Sequence, residues 1–233
     1  MSVLLIDIGN TRLKWKHIIQ GKESLSGTLL KSEVPHYQWP DDIEHVVVAS
    51  VSTNDELRAL FQQKYGASLK WLSEPDVGFE GFHHCYPDPQ RLGVDRWLAM
   101  LGARVHSKNP VLVVDAGTAL TIDLLNEHNQ HVGGYIVPGQ QMSAGALFGG
   151  TDRVEQYLDE ADSGNMSPGT HTRACVSAGI LRQQLAFIES VGKQYPQYEL
   201  FITGGDGRVL AEHTETGYYP NLIFDGMELL CAG

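Results

Sequence analysis

The sequence lacks a surplus of positive charge. Its 233 residues carry 17 Lys and Arg against 28 Asp and Glu, a formal net charge of -11. Non-specific nucleic-acid binding comes from clustered cations that neutralise phosphates, so no nucleic-acid partner is expected. A nucleotide ligand would have to be held locally by backbone amides, a few placed cations and divalent metal, because the long-range field repels it. No apolar run approaches the roughly 18 residues that span a bilayer. The opening "MSVLLIDIGN" has no basic leader and meets Asp7 too soon for a signal peptide. A cytoplasmic location with no membrane partner is therefore expected. Three cysteines, Cys85, Cys175 and Cys231, form no CxxC pair and read as ordinary reduced thiols.

Several catalytic motifs are also missing. There is no G-x-x-x-x-G-K-[ST], which excludes a P-loop, and "TGGDG" at 203–207 lacks the spacing of a dinucleotide fingerprint. "PGQQMSAG" departs from the G-x-S-x-G elbow, so Ser143 is not a hydrolase nucleophile. H-E-x-x-H does not occur. His83, His84 and Cys85 are adjacent, and neighbours on an extended chain point opposite ways, so they read as part of a surface loop rather than a metal site.

What is present is a globular composition, 42% hydrophobic and 19% charged. Strand-like aliphatic runs occur at 3–7, 13–19, 46–51, 68–72, 111–115, 120–125, 199–203 and 221–225, several continuous as in sheets covered on both faces. "TNDELRALFQQKYG" reads as a helix with a Thr53/Glu56 capping box and a stop at Gly66. Residues 174–191 read as a longer amphipathic helix burying Val176, Ile180, Leu181, Leu185 and Ile188 and stopping at Gly192. The alternation defines an α/β chain. Residues 73–93 have no period and form a long loop, a place where function tends to sit.

The most informative pattern is an internal echo. "VLLIDIGNT" at 3–11 and "VLVVDAGTA" at 111–119 share an aliphatic run, an Asp, one spacer, a Gly and a nearby hydroxyl. Each precedes a second apolar segment, so each reads as a hairpin with a polar turn. Two half-domains, 1–106 and 107–233, facing a central cleft are expected. In the first turn Gly9 permits close backbone approach, Asn10 and Thr11 supply an amide and a hydroxyl, and Lys14 supplies charge. Asp7 is a hard oxygen ligand suited to Mg²⁺, directly or through water. In the second, Asp115 can hold a cation, and Gly117 and Thr118 offer donors. A single such turn is equally a capped hairpin, since these are common turn residues; the repetition favours a pair of phosphate sites.

A third segment, "LGVDRWLAMLGA", repeats Trp97, Leu101 and Val105 every four residues after Gly93, which puts Asp95 and Arg96 at a helix start. Asp95 there is either a helix-dipole partner or a general base acting on a substrate hydroxyl, with Arg96 binding an anionic group.

Together, "DIGNTRLKW", "LGVDRW", "DAGTALTID", "GGYIVPG", "TGGDG" and "PNLIFDG" resemble, in order and approximate spacing, the type III pantothenate kinases, which carry out the first step of coenzyme A biosynthesis. The resemblance implies the fold of the acetate and sugar kinase, Hsp70 and actin superfamily, with two ribonuclease H-like halves. It also implies a homodimer whose active sites lie near the subunit interface, and ATP and pantothenate as substrates. By the same resemblance, Asp7, Ile8, Gly9, Asn10, Thr11, Arg12, Leu13 and Lys14 form the ATP phosphate segment, joined by Thr118. Asp115 matches the ligand of a monovalent cation, K⁺ or NH₄⁺. Asp95 matches the proton acceptor, and Gly93, Val94, Asp95 and Arg96 match a pantothenate-binding segment. Tyr86 matches a substrate-contacting tyrosine. Thr172 matches another contact, although His171 stands where the family usually has Asn. Two rival readings are a regulatory or accessory protein of the same fold, and another small-molecule kinase of the superfamily.

Overall fold

The computed structural model describes residues 1–10, 12–76, 78–150 and 166–231. Two compact units divide the chain: Met1–His106 with Asn221–Gly233, and Ser107–Pro220. In the first unit β1 (Ser2–Ile8), β2 (Arg12–Ile19) and β3 (Lys22–Leu30) form an antiparallel meander. Strands β4 (His45–Ser50) and β5 (Leu69–Leu72) extend it in parallel on the other side of β1, giving the order β3-β2-β1-β4-β5. The continuous run Val3 to Ile6, with Ile8, is buried, as a central strand covered on both faces requires. On one face Leu4, Ile6 and Ile8 join Leu13, Trp15, Trp39 and, from α1 (Asp55–Tyr65), Leu57 and Phe61.

Helices α2 (Val94–His106) and α6 (Leu222–Leu229) also belong to this unit; α2 packs against β4 and α6 against β1. Helix α2 is buried nearly all round, Trp97, Leu98, Met100 and Leu101 included. Its contact with α6 depends on two glycines. A Cβ at Gly102 would collide with the Leu222 carbonyl, and one at Gly226 with the Leu98 carbonyl. Both obstructing atoms are backbone, so neither can swing aside.

The second unit repeats the first unit's strand plan. Antiparallel β6 (Val111–Ala116), β7 (Ala119–Leu125) and β8 (His131–Pro138) are joined by β9 (Glu199–Thr203), parallel to β6, in the order β8-β7-β6-β9. Helices α3 (Gln140–Gly150), α4 (Thr172–Gln194) and α5 (Gly207–Thr214) complete it. Leu112, Val114, Leu120 and Ile122 form a core with Leu181, Leu185 and Ile188 of α4. No described helix is long and apolar enough to cross a membrane.

Several local expectations need correction. Residues 221–225 are not a strand: Leu222, Phe224 and Met227 are buried on α6, and a short apolar run does not distinguish the two by period. The reading that assigned 107–233 to one half therefore differs from the contacts, which return the segment from Asn221 to the first unit. The capping box at Thr53 is absent. Helix α1 starts after Asn54, whose amide instead donates to Ser50 Oγ at 2.7 Å while its Oδ1 accepts from Lys31 Nζ at 3.0 Å. Val105 is exposed, and α4 continues through Gly192 to Gln194. Strands β3 and β8 carry no long continuous aliphatic run because both are largely exposed strands at sheet edges.

Replacing Gly102 by Ala is expected to destabilise the protein by about 2 kcal/mol or more, because the added methyl meets backbone. Urea unfolding measures this; a midpoint equal to that of the parent would contradict the close α2–α6 contact.

Candidate active site

In the first unit the site begins where β1 runs out. Asp7 stands at its penultimate position, opposite Lys14 of β2 and beside Ala49 of β4. The hairpin between β1 and β2 is closed by the Gly9 N–H donating to the Arg12 carbonyl at 3.0 Å. Asn10, Arg12 and Lys14 are exposed, whereas Ile8 and Leu13 are core residues. Within this segment, then, the side chains of Ile8 and Leu13 serve packing and only their backbone can face a ligand. Thr11 lies outside the described residues.

Electrostatics mark Asp7 as unusual. Its pKa is raised from 3.8 to about 6, chiefly by burial, next by the negative charge of Asp95, against a lowering contribution from Lys14. The side chain keeps some accessible surface, but enough protein surrounds the carboxyl to strip much of its hydration. The influence of Asp95 also shows that the start of α2 comes near the end of β1.

At that helix start the Trp97 N–H donates to the Gly93 carbonyl at 3.1 Å, and Asp95 Oδ1 accepts from the Arg96 N–H at 2.8 Å. A Cβ on Gly93 would lie 2.5 Å from Asp95 Oδ1, so the glycine makes room for this carboxylate. Val94 is buried core. Arg96 is buried too, and its Nη1 donates to the Tyr86 hydroxyl at 2.9 Å, with the guanidinium carbon 5.8 Å from the ring centre. Tyr86 is thereby tied to α2 by a charge-assisted hydrogen bond. The 73–93 loop thus delivers its tyrosine to Arg96, at the start of α2.

The second unit builds the matching turn with closely packed glycines. Asp115 is penultimate in β6, opposite Thr121 and beside Thr203. The Gly117 N–H donates to the Ala119 carbonyl at 2.9 Å, and Thr118 is exposed. Two further glycines press on this turn. The Gly139 N–H donates to the Thr118 carbonyl at 3.0 Å, and a Cβ there would collide with the Gly117 carbonyl. A Cβ on Gly204 would collide with the Ala116 carbonyl and the Asp115 carboxylate. The stretches "VPG" and "TGGDG" assign neither glycine a role by spacing; only the close approach in space reveals one. Thr172 is the first residue of α4, capped by His171, whose Nδ1 accepts from the Ala174 N–H at 3.3 Å. An imidazole nitrogen here performs the capping that an Asn oxygen would perform.

The donors fit hard cations. Among the described residues no three His, Cys, Asp or Glu side chains gather as a metal cage. A divalent ion held by Asp7 together with water and phosphate oxygens suits Mg²⁺, and it would relieve the repulsion from Asp95. Asp115, a carboxylate with main-chain carbonyls close by, suits a monovalent cation.

Strand-end carboxylates and polar turns are repeated on two sheets of like topology, and solved structures of low sequence identity share this fold. A Listeria monocytogenes protein described as an N-acetylmannosamine kinase shares it, with TM-score 0.54 at 13% identity over 99% of both chains. So does a Campylobacter jejuni protein described as a Baf family transcriptional activator, with TM-score 0.66 at 24% identity over 97% of this chain and 95% of that one. The model of the family "Type III pantothenate kinase" matches residues 3–194. The type III pantothenate kinase of Marinobacter nauticus is 31% identical over 241 residues, covering 99% of this chain and 98% of its own. The chain belongs to the type III pantothenate kinase family.

Because folding raises the Asp7 pKa from 3.8 to about 6, the folded chain holds this proton more tightly than the unfolded one. Its contribution to stability is full at low pH and lost as pH rises through about 6. Asp7→Asn is therefore expected to raise Tm at pH 8, with the gain gone by about pH 4. Thermal unfolding across that range decides; a lower Tm at pH 8 would contradict a net cost of the charge.

Proposed function

We propose that this protein phosphorylates pantothenate with ATP to give 4'-phosphopantothenate, the first step of coenzyme A biosynthesis, with Asp95 as general base. The observation that carries the residue assignment is the convergence of Asp7, Asp95 and the Arg96–Tyr86 pair in one unit. Family membership supplies the acceptor.

Asp95 accepts the proton of the pantothenate primary hydroxyl as that oxygen attacks the γ-phosphorus, the bond to the β-phosphate oxygen breaks, and ADP leaves. Arg96 and Tyr86 orient the substrate, with Gly93 and Val94 shaping the backbone beside it and Thr172 as a further contact. Gly9, Asn10, Thr11, Arg12 and Lys14 hold the phosphates, together with Thr118 of the second turn. Little covalent chemistry falls to the protein in such a transfer; positioning and offset of charge do most of the work. Asp7 would hold the Mg²⁺ that accompanies ATP and Asp115 a K⁺ or NH₄⁺ ion, and these cations would offset the negative charge of the phosphates.

A cytoplasmic homodimer is part of the same proposal. Val132, Tyr135, Ile136, Met142 and Leu147, on β8 and α3, are large apolar side chains left exposed, a surface of the kind that a second copy covers. The active site lies near that interface. The regulatory alternative is disfavoured because the full set of Asp7, Lys14, Asp95, Arg96 and Asp115 is in place.

Purified protein incubated with MgATP, K⁺ and pantothenate is expected to yield 4'-phosphopantothenate by mass. ADP release with another small alcohol or water, and none of that product, would overturn the acceptor. Asp95→Asn is expected to keep the fold by circular dichroism and lower kcat by about 10²-fold or more; a rate near that of the parent would remove Asp95 from the role.

A further inference from the structure

We infer that Tyr218 is a positioning residue for the Asp115 turn: its hydroxyl fixes the Gly204–Gly205 corner against the Asp115 carboxylate. The inference rests on the assignment of Asp115 as the monovalent-cation ligand.

The corner is unusual in three ways. Thr203 ends β9 in register with Asp115, so the next residue emerges beside the carboxylate. That residue, Gly204, takes φ +90°, a conformation open mainly to glycine. It also lies so close to Asp115 and to the Ala116 carbonyl that no side chain fits. Glycine permits this geometry but cannot enforce it, since it is the most permissive residue in the chain.

Enforcement comes from hydrogen bonds, and the only one from a side chain that reaches Gly204 among those described is from Tyr218. Its hydroxyl donates to the Gly204 carbonyl at 2.9 Å. The Gly207 N–H reaches the same oxygen at 3.2 Å, and the Asp206 N–H donates to the Ala116 carbonyl at 2.9 Å. In a trans peptide the carbonyl and the following N–H point opposite ways, and there is no cis peptide bond in the described chain. Holding the Gly204 oxygen therefore also sets the direction of the Gly205 N–H, a donor beside the second turn.

Tyr218 is itself braced. It bridges to Ile202, and the Tyr219 N–H donates to the Ile202 carbonyl at 2.8 Å. The Arg208 guanidinium carbon lies 5.3 Å from its ring centre. A Cβ on Gly207 would come within 3.1 Å of its Cε2. The segment after α5 thus returns a rigid strut to the corner. Loss of the hydroxyl leaves the strut packed and the corner unlatched, so the cation and nucleotide should bind less well while the chemical step, made by Asp95, is unaffected.

The test is a K⁺ titration of pantothenate-dependent ADP release for the parent, Asp115→Ala and Tyr218→Phe, with KM for ATP and for pantothenate. Tyr218→Phe is expected to raise both the half-activating K⁺ concentration and KM for ATP by roughly 3- to 10-fold, the span of one lost hydrogen bond. Under saturation kcat should stay within about 2-fold and KM for pantothenate should not move, a split that general loosening would not produce. Unchanged K⁺ and ATP constants in the folded variant overturn the inference. If Tyr218→Phe does not fold, 3-fluorotyrosine at 218 decides: its stronger donor should lower the K⁺ constant, and an equal or higher value overturns. A parent that ignores K⁺ refutes the Asp115 assignment instead, and KM for ATP alone then judges Tyr218.

Discussion

The structure turns on a carboxylate placed where a buried strand runs out. Every residue of β1 before Asp7 is buried, and the chain then puts an ionisable group at the margin of that apolar environment. Burial and the neighbouring Asp95 push its pKa up to about 6. Stability alone would favour an apolar side chain or an amide at this position. Lys14, directly across the hairpin, offsets part of the cost but not all of it. On the proposed function, a cationic ligand with phosphate attached would relieve the residual penalty by restoring what burial removed.

The second unit solves the same placement differently. Its β8-β7-β6-β9 order repeats the β3-β2-β1-β4 portion of the first sheet, and Asp115 occupies the place of Asp7. Around Asp7 the structure gathers charges: Lys14, Asp95 and, through the start of α2, Arg96. Around Asp115 it gathers backbone, with Gly139 and Gly204 pressed onto the turn. On the proposed function, one half would serve phosphate charge and acceptor chemistry, and the other close main-chain contact with an ion and a nucleotide. A single polar turn could be a mere hairpin; two with divergent surroundings indicate division of labour.

Much of this was legible in the sequence where one physical signal dominated. The aliphatic runs of β1, β4 and β6 announce strands covered on both faces, and the repeated Asp-x-Gly places the turns. Legibility failed where neighbours in space decide. In β3 the leucines are scattered among polar residues because the strand is an exposed edge, so no continuous run marks it. The stretch "NLIFDG" looked extended, and the glycines at 102 and 226 that seat it as a helix against α2 are meaningful only as a pair. Ile8 and Leu13 fell inside a recognisable phosphate segment, yet their side chains belong to the core. Tyr218 carried no signal at all, since its partner oxygen is on Gly204, 14 residues earlier.

Family membership rests on near full-length similarity, and the likeness to kinases of lower identity speaks to fold alone. What the residues add is a physical feature of the candidate site: a carboxylate whose charge is held at a cost. The most direct measurement is a carbon-13 NMR titration of the Asp7 carboxyl in the free protein and with MgATP. The account predicts a midpoint near pH 6 when free and a clear fall on addition of MgATP. An ordinary carboxylate midpoint in the free protein, unchanged by MgATP, would contradict it.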